Sequence, residues 1–516
     1  MPTLTRRIPF PEWSEPDQVF SALFGSARHA FWLDAGAAAS TGMSYLGAAG
    51  PSSRCVTASI DAVSGAETLT ISRPADVASL EETRVGSILE YLKDELATSP
   101  TDADEVPAFS LGWVGWFGYE WGAGMLGLAA HQSPTPDAAW LEVDRAIAFD
   151  HAARTVTLLV RETVGGRDNL DSASDPAAAE IDEWIDWATT ELLALHDATA
   201  PHNDSESVPR SVQPAQSASL AQPTQPAQPA QPAVTWRHSA AEYADLIQRC
   251  QDHIRAGDAY QLCLTNQIHV DIHPDPLETY RVLRLGSPSH HGGLLRFGDV
   301  SLLSATPEQF LTVTPAGQVS TKPIKGTRPR AVDAEEDARL AAELLASDKE
   351  RAENLMIVDL MRNDLGKVAR LGSVQVTDLL TVESYEHVHQ LVSTVGATLA
   401  DGLTAVAVIA AAFPAGSMTG APKLRAMEIL HRLEAGPRGI YAGAFGYLGR
   451  DGGVDLAMVI RSIVLDPSGA SIGTGGGITA LSRPAEEIEE TLVKARALAT
   501  VLGVSNEELA MALVRV

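Results

Sequence analysis

The chain has 516 residues, too many for one ordinary core, with the 45% apolar and 20% charged content of a globular protein. Its 38 basic and 66 acidic residues leave a formal charge of −28, which would repel a phosphate backbone and argues against nucleic acid as a partner. A small anion would be repelled at long range too, so any anion site needs local cations or a metal.

The first residues, MPTLTRRIPFPEW, are basic without a following apolar run, so no secretory signal is expected. No apolar stretch approaches the ~20 residues of a membrane span. Cys55, Cys250 and Cys263 show no ligand spacing and are too few to staple the chain. Buried reduced thiols in a cytoplasmic protein are expected.

An N-terminal lobe, 1–198, holds short strand-like runs at Phe31–Leu33, Ala146–Phe149 and Val156–Val160. Helices are expected over Leu80–Leu96 and Ala177–Leu195. The segment Leu111–Glu120 alternates glycines with large rings, which fits either close core packing or a small apolar pocket. A Gln/Pro/Ala-rich linker follows over 199–235, too poor in apolar residues to offset its chain entropy.

The C-terminal lobe, 236–516, opens on a helix with a Ser239/Glu242 capping box and an apolar face of Tyr243, Leu246, Ile247, Cys250 and Ile254. A strand signal follows at Tyr260–Gln267. Glu308 ends a strand-like run and precedes Lys325 by a hairpin-like stretch, so the two are expected on neighbouring strands. Lys325 itself stands in Pro323–Arg330, dense in Pro and Gly, which fits a strand entering a turn. There it is either a surface charge or a nucleophile managed by nearby acids.

Two acidic helices come next. Ser347–Glu350 has the pattern of a capping box, and Glu350 and Glu353 share a face of the helix it starts. Glu487, Glu490 and Lys494 line one stripe of the last long helix. Together the helices could enclose a hard divalent ion; alone, each reads first as a dipole-compensating or solvated acidic face. Ala415–Lys423 and Gly473–Thr479 are small-residue turns whose backbone could meet an anion. His387 and His389 lack partners for a metal site. No Walker or H-E-x-x-H motif occurs.

In order, PIKGTRPR, ERAENLMIVDLMRNDLG, ESYEHVHQLVST, FPAGSMTGAPKLRAMEIL, YAGAFGYLG, IRS and EEIEETLVKARAL resemble the chorismate-utilising enzymes, over about Ser239–Leu502. That resemblance implies an α+β fold, an α/β sandwich of two central antiparallel sheets flanked by outer helices, and a Mg²⁺-dependent cleft in the second lobe. It implies Glu353 and Glu490 as metal ligands, with Glu350 and Glu487 acting through water, and a chorismate ring carboxylate on the metal. Tyr441, Arg461 and the Gly475, Gly476 and Gly477 backbone would bind the enolpyruvyl carboxylate. Ser417 and Lys494 would add carboxylate contacts, and Glu308 would be the general acid for the C4 hydroxyl.

Within the family, Gln261 stands where the isochorismate and salicylate synthases place a lysine base. Lys325, in PIKGT rather than PIAGT, resembles the aminodeoxychorismate synthase branch and not the anthranilate synthases. There the lysine amine attacks C2, and burial among apolar neighbours would favour its neutral form. Gln390 replaces a common histidine, and Ala35 stands where an N-lobe tryptophan pocket often has serine. No Cys-His-Glu glutaminase domain is present, so free ammonia or a separate glutaminase subunit is the expected nitrogen source.

Overall fold

The computed structural model describes residues 3–74, 81–96, 109–163, 176–199, 232–385 and 388–515. The Gln/Pro/Ala-rich segment 200–231 and His387 lie outside the described residues. Two 12-stranded antiparallel sheets pack face to face, with helices on both outer faces. The sandwich expected from the resemblance is therefore the fold.

Both sheets are woven from both ends of the chain. In the first, the N-terminal strand His29–Asp34 pairs with His291–Phe297, Leu33 opposite Gly293. In the second, Gly112–Phe117 pairs with Ala444–Gly449, Gly115 opposite Gly446. The layers are thus not the two sequence lobes. Period-2 alternation sends Phe31 and Leu295 from one sheet, and Val114 and Phe445 from the other, into the shared central core. Trp116 stacks on Phe297 with centroids 5.1 Å apart. The Gly/aromatic segment is core: Trp113, Val114, Trp116 and Phe117 are fully buried. A Cβ on Gly115 would come within 2.0 Å of the Ala139 carbonyl oxygen, so glycine there is a packing requirement.

Most local expectations hold. The strands His29–Asp34, Arg145–Asp150, Thr155–Thr163 and Gln261–Val270 form, as does the Ser239/Glu242 capping box on the helix Ala240–Arg255. The helix expected over Ala177–Leu195 runs Pro176–Thr199. The one expected over Leu80–Leu96 is instead a strand, Glu82–Val85, then a helix, Ile88–Leu96. Thr83 and Val85 favour the pleat, and Gly86 interrupts helical periodicity. Val234–Trp236, at the end of the expected linker, pairs as an edge strand with Gln261–Val270.

Candidate active site

A chamber of about 530 Å³ opens between the sheets. Its walls are the strand Gly469–Ile478 of one sheet, the strands Ile324–Pro329 and Val388–Thr398 of the other, the helices Asp348–Gly366 and Pro484–Val501, and the short 3-10 turn Gly416–Met418. Glu308, Lys325, Glu350, Glu353, Gln390, Ser417, Tyr441, Arg461, Gly475, Gly476, Gly477, Glu487, Glu490 and Lys494 all line it.

Lys325 owes its position to a bulge. The pairing register between Ile324–Pro329 and Val388–Thr398 shifts between Ile324 and Thr327, and Gly326 there has φ +88°. A Cβ on Gly326 would lie 2.5 Å from Glu350 Cγ, so only glycine admits the helix this close. Lys325 and Glu308 are not on neighbouring strands as expected. Glu308 precedes Gln309–Val313, and two strands intervene before Ile324–Pro329. The chamber brings them together nonetheless.

Glu308 is buried and accepts a hydrogen bond from the Ser417 hydroxyl, Oγ to Oε1 2.8 Å. Burial pushes its pKa up, against the opposing pull of Lys325 and the Ser417 hydrogen bond. A carboxyl whose protonated form is favoured by burial is suited to give a proton to a leaving hydroxyl. Lys325 is partly buried, and Glu308, Glu353 and Glu490 lie within electrostatic reach of its amine. The apolar surroundings expected for it are replaced by acids.

The two acidic helices face each other as the sequence suggested, but their glutamates are held by cations. Lys349 Nζ lies 3.3 Å from Glu487 Oε1, Lys494 Nζ 2.8 Å from Glu490 Oε1, and Arg328 Nη1 3.2 Å from Glu350 Oε1. The Ser347 capping box does not form; its hydroxyl bonds the Glu350 carboxylate instead of a backbone N–H. Burial pushes Glu353 up, with the charges of Glu490 and Glu487 adding to it. Burial acts the same way on Glu490, but Lys494 outweighs it and holds the carboxyl below its usual range. Lys349 is pulled down by burial and raised further by Glu487, Glu353 and Glu490, for a net rise.

The lining holds five carboxylates (Glu308, Glu350, Glu353, Glu487, Glu490) and five cations (Lys325, Arg328, Lys349, Arg461, Lys494). An acidic chain thus encloses a chamber of zero formal charge, which answers the anion problem set by the composition. Arg328 and Lys349 were missed from the sequence. The signal for Lys349 was its place in the first turn of an acidic helix, four residues before Glu353.

The glycine run is a strand and not the expected turn. Glycine lets this strand touch its neighbours at close range: a Cβ on Gly473 would lie 2.0 Å from Tyr441 Cγ, and one on Gly477 2.1 Å from Gln261 Nε2. Lys494 donates to the Gly475 carbonyl at 2.8 Å. Arg461 takes a left-handed φ of +49°, unusual for a side-chain-bearing residue, and its guanidinium faces the open chamber. Surrounding protein lowers its pKa by desolvation alone, with no carboxylate partner among the described residues. It is a chamber cation free to receive an anion.

Gln261 is the site residue that stays out of the chamber. It is buried behind Gly477, and its Oε1 has no hydrogen-bond partner. Gln390 is buried opposite Thr327. His389 bonds Ser384 Oγ at 2.8 Å and Asp337 Oδ1 at 2.9 Å, which accounts for it structurally. Ala35 is buried, and its N–H donates to Ser44 Oγ at 3.0 Å, where Asp34 is taken up by Tyr280 and Arg284. All three cysteines are free and buried, and Cys263 lines the chamber. No described helix is long and apolar enough to cross a membrane.

Two sheets closing on one charge-balanced chamber, with a lysine and a raised carboxyl inside it, define an α+β sandwich enzyme with a small-molecule cleft. The family model for chorismate binding enzymes matches residues 45–500. The chain belongs to that family. It is 43% identical over 492 residues to an aminodeoxychorismate synthase of Streptomyces griseus, which covers 95% of this chain and 63% of that protein. It is 38% identical over 419 residues to an anthranilate synthase component 1 of Streptomyces coelicolor, 80% of this chain and 77% of the other. Among solved structures, anthranilate synthase component I of Streptococcus pneumoniae TIGR4 matches with a TM-score of 0.66 at 26% identity, covering 96% of this chain and 99% of that one. The chain therefore spans less than two thirds of the length of the first of these relatives.

Proposed function

We propose that the chain is the synthase component of an aminodeoxychorismate synthase, converting chorismate and ammonia to 4-amino-4-deoxychorismate for p-aminobenzoate and folate synthesis. Ammonia would come from glutamine through a separate glutaminase subunit. The observation that carries this is the Lys325 amine inside the chamber, with Glu308 held by Ser417 in the same space.

Lys325 in its neutral form attacks C2 of the ring as the C4–O bond breaks. Glu308 gives its proton to the departing hydroxyl, which leaves as water. The Glu308 carboxylate then takes a proton from the new C2–N ammonium. Ammonia attacks C4, the C2–N bond breaks, the same proton returns to the lysine nitrogen, and the new C4 ammonium gives a proton to the Glu308 carboxylate. Two allylic displacements place the amine at C4 and regenerate both groups. Arg461, Tyr441 and the Gly475–Gly477 backbone would hold the enolpyruvyl carboxylate.

The resemblance calls for Mg²⁺, and the donor set suits it. Glu487 Oε2 and Glu490 Oε1 border Gly476, where a Cβ would sit 3.1 and 3.8 Å from them, so the glycine keeps a small oxygen-lined cradle open. Among the described residues no three acidic, His or Cys side chains converge on one point. Mg²⁺ needs only one or two carboxylates plus water and substrate oxygens. Glu353 and Glu490 would hold it, with Glu350 and Glu487 through water, and its charge would offset the ring carboxylate.

Anthranilate synthesis is the second reading, favoured by the Streptomyces coelicolor and Streptococcus pneumoniae likenesses. Incubation with chorismate, Mg²⁺ and ammonium at alkaline pH separates the two. With aminodeoxychorismate lyase added, p-aminobenzoate should appear, and only then. Fluorescent anthranilate formed without the lyase would overturn the proposal.

A further inference from the structure

Lys349 stands where the two acidic helices meet. It lies one residue before Glu350 in the first turn of Asp348–Gly366, and its ammonium crosses to Glu487 Oε1, 3.3 Å away on Pro484–Val501. Glu353 and Glu490 lie within its electrostatic reach. Glu487 is buried, and an uncompensated carboxylate there would be costly. Lys494 is anchored differently, since it also donates to the Gly475 carbonyl. Among the described residues Lys349 has no such second tie, and its side chain remains 43% exposed, which gives it a way out to solvent.

The charge balance of the chamber adds a constraint. A dianion alone, or a divalent cation alone, would upset the five-to-five match of carboxylates and cations. The two entering together would add no net charge, but the cation must then take the face of Glu487 and Glu490, where Lys349 and Lys494 now sit.

We propose that Lys349 is a placeholder for the divalent cation: its ammonium pairs with Glu487, within electrostatic reach of Glu353 and Glu490, while the metal is absent and is displaced when the metal enters. A compact charge on a flexible four-carbon stem suits that exchange, whereas a fixed guanidinium fork would not. The inference rests on the Mg²⁺ reading given above. It makes metal uptake weak without substrate and stronger with it, because Lys349 competes for the same carboxylates. Lys349 is thus a positioning residue that sets the order of assembly in the chamber.

The test is titration of the full chain with Mn²⁺, followed by the loss of free-ion paramagnetic resonance signal, in the absence of chorismate. Lys349→Met should bind Mn²⁺ about tenfold tighter than the unsubstituted chain, the equivalent of about 1.4 kcal/mol. Lys349→Arg, which keeps the charge, should not. Unchanged or weaker binding by a folded Lys349→Met overturns the proposal. If no form takes up Mn²⁺ even with chorismate present, the metal reading falls and this inference with it. Equal uptake by all forms leaves the metal reading standing and removes only the role of Lys349. Should Lys349→Met fail to fold, the unsubstituted chain still decides. Acetylation of Lys349, quantified by peptide mass spectrometry, should rise on saturation with Mn²⁺; an unchanged or falling yield overturns the exchange.

Discussion

Ser417 donates its hydroxyl to Glu308 across 2.8 Å, tying the Gly416–Met418 turn to a carboxyl that burial holds above its usual range beside Lys325. The bond favours the ionised form, so it works against burial. A general acid must be protonated to act, and its activity is lost as pH rises through its pKa. Ser417→Ala should therefore raise the Glu308 pKa further and move the alkaline limb of the kcat/KM profile to higher pH. The coupled p-aminobenzoate assay would read the limb position; a shift to lower pH would remove Glu308 from the acid role.

Lys325→Ala removes the amine but leaves the charge pairs at the two helices in place. Flux to the 4-amino product should fall on the order of 10²-fold or more, the lower range for losing a positioned catalytic group. Turnover equal to the unsubstituted chain would exclude the covalent step.

Gly473→Ala puts a methyl 2.0 Å from the Tyr441 ring, which is buried and cannot swing away cheaply. The variant should lose roughly 1–3 kcal/mol by overpacking, measured by urea unfolding, and KM for chorismate should rise as Tyr441 shifts. Full stability with unchanged KM would mean that the strand has slack not evident in its packing.

Glu120 lies beneath the Arg438 loop and accepts the N–H groups of Arg438 and Gly439 at 2.7 Å each. Burial pushes its pKa from 4.5 up to about 7 against those bonds. The folded chain then binds more protons than the unfolded chain between about 4.5 and about 7. Stability must fall as pH rises through that window. The difference in unfolding free energy between the unsubstituted chain and Glu120→Gln should decline with rising pH across the window by up to roughly 3 kcal/mol. A flat difference would show that Glu120 ionises normally.

Much of the site was legible because its signals are local. Glu350 with Glu353, and Glu487 with Glu490, share helix faces by spacing alone, and Lys325 sits in a Pro/Gly segment that must turn. What pairs with what was not legible. Lys349 finds Glu487 across 138 residues of sequence, a separation no periodicity reports. The glycine run misled because glycine is uncommon inside strands; here the close approach of Tyr441 and Gln261 forces it. The joining of the two halves of the chain side by side in each sheet was equally hidden, since the pairing of His29–Asp34 with His291–Phe297 follows from no local pattern.

A seam in each sheet means the halves cannot be separated like beads. Residues 3–199 and 232–515 each contribute interior strands to both sheets, so each half alone would present unpaired strand edges flanking His29–Asp34, His291–Phe297, Gly112–Phe117 and Ala444–Gly449. A chain cut once between 199 and 232 should stay together as a two-piece protein. The same cut, introduced at the gene level, offers a split-protein pair whose reassembly would restore the chamber.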